Sequence, residues 1–467
     1  MKKVYLTLGI VSSLALASCS GFLDKEPSTA LPVDGAITSF EDLQNTVNGI
    51  GYVVSGERGS QRGTYGAEFT LYADLLTNEF AVIKSNNQSV PISSYNLTKY
   101  DELATNPYRV HYQGIANVNK ALETSSQLND ARVKNLQGQL YAWRALLHFD
   151  LARMFAHIPS TVANTSEANS GIPLATEVYD PEYKPTRATL AETYNQIIAD
   201  FTQAIGMLDD NNGTGYMNKW AALALRARAY LYMGEYANAL ADANAVINSG
   251  VYELYTPSNY VSVWGAEGTS ESIFEFLTTD NYNAQRYSPG YYTDASGYAE
   301  CAFNVNGSLY KYLSTHPEDV RSQLIKDQTS HKDAGGYYPA KYPGRGGSIY
   351  VNNPKIIRLS EVYLIAAEAS FYLPGGGEAA APFINEIEKN RVEGYTDVAS
   401  VTIDDIIFEY TKELFAENQI AFAYWRNGKA VTNSLGDEIK ADNMRAIMPL
   451  PQREIDLNSA LVQNPGY

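Results

Sequence analysis

Glu413 and Glu417 stand four residues apart, one turn of a helix. Two carboxylates about 5 Å or 6.5 to 9.5 Å apart are how glycosidases place an acid beside a nucleophile or base. One-turn spacing also presents a solvated or arginine-paired face, and Arg426 lies close enough in the chain to supply the partner. The pair is therefore taken as structural, and no catalytic residue is assigned. His111, His148, His157, His316 and His331 show no HExxH-type spacing, so neither a metal site nor a cofactor is expected. His148 falls inside a helical pattern and reads as a hydrogen-bonded core imidazole. There is no GxSxG elbow and no P-loop, and Gly344-Arg345-Gly346-Gly347 and Gly375-Gly376-Gly377 punctuate loops. Arg358, Glu361 and Glu368, spaced by three and seven in an otherwise apolar stretch, read as interhelical ion pairs.

The aromatic residues carry more information. Tyrosine is the outlier at 36, against 15 Phe and 4 Trp. Sugars stack their CH-rich faces on aromatic planes and need amide, carboxylate or guanidinium partners for their hydroxyls. Residues 279–292, Thr-Asp-Asn-Tyr-Asn-Ala-Gln-Arg-Tyr-Ser-Pro-Gly-Tyr-Tyr, interleave four tyrosines with such groups and lack an apolar period that would bury them. Tyr282, Asn283, Arg286, Tyr287, Tyr291 and Tyr292 are accordingly the leading ligand-binding candidates. Trp143, Trp220 and Trp425 fall in helical patterns, Trp264 precedes the Glu271–Glu275 segment, and all four read as structural. Tyr337, Tyr338 and Tyr342 sit beside Pro339 and Pro343 and read as loop packing.

The elements that must position these residues are helices. Ser39 caps a segment whose Leu43, Val47 and Ile50 share one face; amphipathic stretches follow at about 108–128, 132–156 and 189–208. No run of alternating strands competes over the first 250 residues, so the class is mainly α. Within 218–240, Ala227, Tyr230, Gly234, Tyr236 and Ala239 stand at the packing positions of a tetratricopeptide helix pair. One such pair cannot bury its own face; weaker candidates for neighbours are 136–156 with 189–208, and 356–372 with 380–391. Between about 251 and 350 lies a loop-rich insertion, of a length that is usually functional.

The chain has 467 residues, 45% apolar and 19% charged, enough for a large core. Its net charge of −17 leaves no basic face for a nucleic-acid partner. Met1-Lys2-Lys3 and the apolar run Val4–Ala17 form an export signal shorter than the ~20 residues of a membrane span. It ends in Leu16-Ala17-Ser18-Cys19, a lipobox. Residues 1–18 are expected to be removed, Cys19 lipidated, and 19–34 to act as a tether holding a single domain, 35–467, off a membrane. Removing Lys2 and Lys3 leaves a charge of −19, and Cys301 as the remaining thiol excludes an intrachain disulfide.

Several segments in order resemble the SusD/RagB family of outer-membrane nutrient-binding lipoproteins. They are Cys19 with Phe22-Leu23-Asp24, Tyr72-Ala73-Asp74, Arg144–Phe149, Trp220–Gly234, Glu271–Glu275, Asp319-Val320-Arg321, Ile357–Ala369, Glu413-Leu414-Phe415 and the tail Gln463–Tyr467. Tyr424-Trp425-Arg426 departs from the pattern, which more often has Asp or an aliphatic residue before the arginine. The resemblance implies a non-enzymatic protein of tetratricopeptide-like helix pairs in a superhelical scaffold, facing the cell exterior as a lid on a SusC-like TonB-dependent transporter. It would capture oligosaccharides or, in some members, peptides. It also implies a second contribution to the site from the loop after the first helices, with Tyr95 and Asn96, Asp74 as a polar edge, and Tyr65 as a further ring. A peptide- or protein-holding scaffold and a glycoside hydrolase are the competing function classes.

Overall fold

Helix caps and apolar periodicity together set the frame. The computed structural model describes residues 37–55, 65–66, 68–84, 88–180 and 182–467. Helix α1, Phe40–Ser55, opens on a reciprocal cap in which Asp42 N–H donates to Ser39 Oγ (3.1 Å) and Ser39 N–H to the Asp42 carboxylate (3.0 Å). Next come α2 (Glu102–Ser125), α3 (Val133–Phe155) and α4 (Leu190–Ile205). Helix α2 begins six residues before the expected 108 and carries Pro107 inside it, in its second turn. Thr189 and Glu192 close a capping box on α4.

The tetratricopeptide pair is α5 (Lys219–Met233) with α6 (Tyr236–Ile247). Asn218 Oδ1 accepts from Ala221 N–H at 2.9 Å, and Gly234 ends α5 in the left-handed conformation, φ +75°, which only glycine adopts without strain. Ala221, Ala224 and Ala227 have no exposure, and these small side chains let the helices approach closely. Further on are α7 (Leu359–Phe371), α8 (Gly376–Lys389), α9 (Ile403–Leu414) and α10 (Ile420–Arg426). Each helix from α1 to α8 packs on the next, with α7 laid on α6 although the insertion separates them in sequence. The expected helix pairs α3–α4 and α7–α8 therefore form, and the superhelical scaffold is continuous. Residues 356–358 are a strand rather than the start of α7: β1 (Ser272–Glu275) pairs antiparallel with β2 (Lys355–Arg358), Phe274 opposite Ile357.

That ribbon ties the ends of the insertion to the scaffold. Tyr338 and Tyr342 are buried, their hydroxyls donating to the carbonyls of Ala334 and Ala416 (2.7 Å each), and Tyr337 is half-buried, so this cluster packs loops. Trp143, Trp264 and Trp425 are buried and Trp220 is half-buried. Cys301 is a buried free thiol. The leader 1–18, Cys19 and the tether to 34 lie outside the described residues. Among the described residues, no helix is long and apolar enough to cross a membrane.

Candidate functional site

Helix α1 turns Leu43, Val47, Ile50 and Val54 into the core. Asn48 and Tyr52, one turn apart, occupy the neighbouring stripe and line a cleft of about 390 Å³. The buried rings of Trp143 and Phe276, 5.6 Å apart, form its floor. Tyr216 and Tyr282, 38% and 52% exposed, stand at its rim, and Asn48, Gln139 and Thr279 add polar groups. Tyr282 meets Tyr52 edge to face, centroids 4.9 Å apart at 87°, so the contact covers at most one face of either ring.

A closed turn presents Tyr282. Thr279 N–H donates to the Tyr282 carbonyl (2.8 Å), and Tyr282 N–H donates back to the Thr279 carbonyl (3.1 Å). Asn283 is 4% exposed; its Nδ2 donates to the carbonyls of Thr279 (2.8 Å) and Asp280 (3.1 Å), and its Oδ1 accepts from Gln285 N–H (2.9 Å). Asn283 therefore positions Tyr282 rather than facing a ligand. On the opposite rim, Gly215 holds φ +81°, and a Cβ there would lie 2.5 Å from Leu277 Cγ. The bare glycine lets the loop carrying Tyr216 press onto Leu277.

The remaining expected site residues separate into three groups. Tyr65, Asp74, Tyr95 and Tyr292 are corrected to interior positions, at 3%, 0%, 7% and 0% exposure. Tyr65 packs against Phe276 at 4.4 Å and so backs the cleft floor. The Tyr95 hydroxyl donates to the Leu76 carbonyl (2.8 Å). Asp74 accepts from the backbone N–H groups of Ala416 (3.1 Å) and Asn418 (2.6 Å), which both sit at positive φ, and burial pushes its carboxyl up to about 8. Tyr292 packs against Tyr298 at 5.3 Å. In the second group Tyr287 is half-buried against the core, and Tyr291 is half-buried between Tyr298 and Tyr350, at 4.9 and 5.5 Å. Asn96 and Arg286 are exposed, and neither lines the cleft. Of the ten candidates, the cleft takes Tyr282 as a lining ring. It adds Tyr52, Tyr216, Asn48 and Gln139, which sequence reasoning missed, and Trp143, which it read as purely structural. The one-turn spacing of Asn48 and Tyr52 beside the buried stripe was the available signal.

The carboxylate pair lies well inside the protein. Glu413 has no exposure and accepts from Arg358 Nη1 (2.6 Å), Arg391 Nη2 (2.9 Å) and Arg321 Nη1 (3.1 Å). Glu417 accepts from Arg358 Nε (2.8 Å) and Lys341 Nζ (2.6 Å). Burial alone would raise both carboxyls; the surrounding cations outweigh it and hold both below the usual range, Glu413 far below. Two ionised carboxylates locked to guanidinium groups do not divide into an acid and a base. Arg426, the expected partner, instead pairs with Glu368 at 2.8 Å, Glu361 pairs with Arg228 at 2.6 Å, and Arg358 with Glu271 at 2.9 Å. Glu361 and Glu368 thus form interhelical ion pairs as expected, whereas Arg358 makes its pairs from the end of strand β2 rather than from the helix. His148 is buried and accepts from Ala175 N–H at 3.3 Å. Among the described residues, no group of three or more His, Cys, Asp or Glu side chains is placed to hold a metal ion.

Residues 21–231 match a family model described as starch-binding, associating with outer membrane, and residues 325–467 match that of the SusD family. A SusD superfamily protein of Bacteroides thetaiotaomicron superposes with a TM-score of 0.84 at 30% identity, covering 92% of this chain and all of the other. The SusD-like protein P2 of Formosa agariphila is 25% identical over the full length of both chains. A laminarin-binding SusD-like protein shares the fold at 21% identity, TM-score 0.74, over 92% of this chain and all of its own. With the helical superstructure and these matches in place, the chain belongs to the SusD family.

Proposed function

We propose that this protein captures oligosaccharides in the cleft between Tyr52, Tyr216 and Tyr282, without cleaving them. It would act at the outer surface of the cell, held by a lipid on Cys19, and pass its ligand to a SusC-like TonB-dependent transporter. The observation that carries the reading is the pairing of partly open tyrosine faces with amide side chains in one surface cleft of a SusD-family scaffold. Rings supply the apolar stack and amides the hydroxyl partners. The laminarin-binding relative supports a glycan as the ligand class. The burial and ionisation of Glu413 and Glu417 support binding without hydrolysis.

Isothermal titration against a panel of oligosaccharides tests this, with release of reducing ends followed in parallel. At least one saccharide gives heat, and none is cut. Each stacking ring contributes about 1 kcal/mol beyond burial, so Tyr282→Ala weakens binding several-fold, and Tyr282→Ala with Tyr52→Ala weakens it further. A double variant that binds like the parent sinks the site assignment. Heat from an oligopeptide in place of every saccharide turns the function to peptide capture.

A further inference from the structure

The cleft is not closed at its α1 end. Asn48, Gln139 and Tyr216 also line a second cavity of about 530 Å³, which continues past Gln44 and Phe40 toward the start of α3. Gln44, Asn48 and Tyr52 are spaced by four, so one stripe of α1 runs past both cavities for about 12 Å of helix axis. That is longer than one sugar ring. The far wall is held rigidly: Asn135 and Asn212 exchange amide hydrogen bonds (2.8 and 3.2 Å), and Asp209 N–H donates to Asn135 Oδ1 (2.9 Å).

Gln139 lies where the two cavities meet. It is 4% exposed, and its Oε1 accepts no hydrogen bond. A buried acceptor without a donor is costly, and in native proteins such a group usually has a partner. Gln139 thus belongs to the wall the two cavities share, with its Oε1 beneath the surface a ligand would touch. The charges around the second cavity are matched. Arg132 lies over the Phe40 ring at 3.9 Å and is paired with Asp130 (2.7 Å) and Glu41 (3.5 Å); Lys134 and Asp209 contribute one charge of each sign. With a net charge of −17 over the chain, this surface does not favour a polyanion.

We infer that the second cavity is a further subsite for the same ligand. A neutral, linear oligosaccharide runs from Tyr282 over Asn48 and Gln139 toward Phe40, along the residues that line both cavities. This rests on the saccharide reading of the first cleft. It makes chain length, rather than the terminal sugar alone, a determinant of affinity.

The test is calorimetry with neutral β-1,3-gluco-, α-1,4-gluco- and β-1,4-manno-oligosaccharides, each as dimer and hexamer. For the linkage that binds, the hexamer binds about tenfold tighter than the dimer. Gln44→Trp, on an exposed position of α1 that borders the second cavity alone, obstructs it; the hexamer then falls to the dimer's affinity and the dimer is unaffected. Equal affinities of dimer and hexamer for the parent protein, or a hexamer advantage that survives Gln44→Trp, overturn the second subsite and leave the first standing. Failure of every saccharide in the panel overturns both.

Discussion

Glu413→Gln isolates the ionic cluster beneath the insertion. Asp319, Glu271, Glu388, Glu409, Glu413 and Glu417 face Arg321, Arg358, Arg391, Lys341 and Lys412 there, so carboxyls outnumber cations by one. Burial, then the neighbouring Glu409, pushes Glu388 up to about 7, so the surplus charge is relieved at Glu388 rather than at Glu413, which is held far below the usual range. Glu413 is the centre: three guanidinium groups converge on it and the Tyr260 hydroxyl reaches it at 3.4 Å. The amide keeps the shape and removes the charge, leaving buried arginines undercompensated. Breaking one member of a buried ion-pair set costs about 3 to 5 kcal/mol, more than a surface pair several times over. That is a large fraction of the 5 to 15 kcal/mol that typically holds a protein together. Trp264 is a built-in reporter, its ring lying 4.6 Å from Lys341 Nζ and 5.5 Å from the Arg358 guanidinium. Urea unfolding followed by tryptophan fluorescence should show the midpoint falling sharply, and Arg391→Gln added to Glu413→Gln should cost less than the sum of the two single changes. A Glu413→Gln protein within about 1 kcal/mol of the parent would refute the claim that this carboxylate neutralises the cluster.

Two buried groups should tilt stability with pH in opposite directions. Burial, then Arg144, lowers His148 to about 3 from an ordinary 6.5, so it gains a proton only on unfolding; its share of stability is complete above 6.5 and is lost as pH falls toward 3. Asp74, raised to about 8 by burial, is protonated when folded and ionised when unfolded between about 4 and 8, so its share is lost as pH rises through that window. Denaturant midpoints measured across pH 4 to 6.5 should therefore rise less steeply with pH in His148→Gln and more steeply in Asp74→Asn. The change is at most about 1.4 kcal/mol per pH unit in each case, and slopes equal to the parent's would contradict the assignments. Asn283→Ala removes the side chain that closes the Tyr282 turn. Saccharide affinity should drop several-fold with a melting temperature nearly unchanged, and an unaltered affinity would show that the turn holds itself.

Most of the scaffold was legible because its signals are local. Thr189 with Glu192, Asn218 before α5 and Gly234 after it act within a few residues, and the apolar period of α1, α3 and α4 is set by their own sequence. Residues 356–358 were misassigned because a short apolar run fits a buried strand as well as a helix, and the partner that decides it, Ser272–Glu275, is far away in sequence. The site was legible only in part for the same reason. Tyr282 could be found from its polar, aperiodic surroundings, yet Tyr52, Gln139 and Tyr216 come to it from separate helices and loops. Tyr65, Tyr95 and Tyr292 were misplaced because tyrosine is at home both in a core and on a wet surface. The partners of Glu413 lie 22, 55 and 92 residues away, a pairing that no local spacing encodes.

The cluster and the cleft are joined by one piece of chain. Glu271, just before β1, and Glu275, its last residue, are fixed by Arg358 (2.9 Å), Arg391 (2.6 Å) and Lys355 (2.9 Å). Directly after β1 come Phe276 and Leu277, which line the cleft. Phe276 N–H donates to the Pro354 carbonyl (3.1 Å), Thr278 N–H to Asn353 Oδ1 (2.9 Å), and Arg345 Nη2 to the Thr278 carbonyl (2.6 Å). The backbone of this stretch is thus satisfied from the β2 side, while its side chains and the Tyr282 turn serve the cleft. Loops that must order themselves on binding spend affinity on doing so, whereas a preformed wall does not. A buried ion cluster adds little to net stability compared with an apolar core, but it fixes the register of the ribbon it grips. Here that register sets where Phe276, Leu277 and Tyr282 stand relative to α1, so the costly interior charges and the rings of the cleft belong to one structural device.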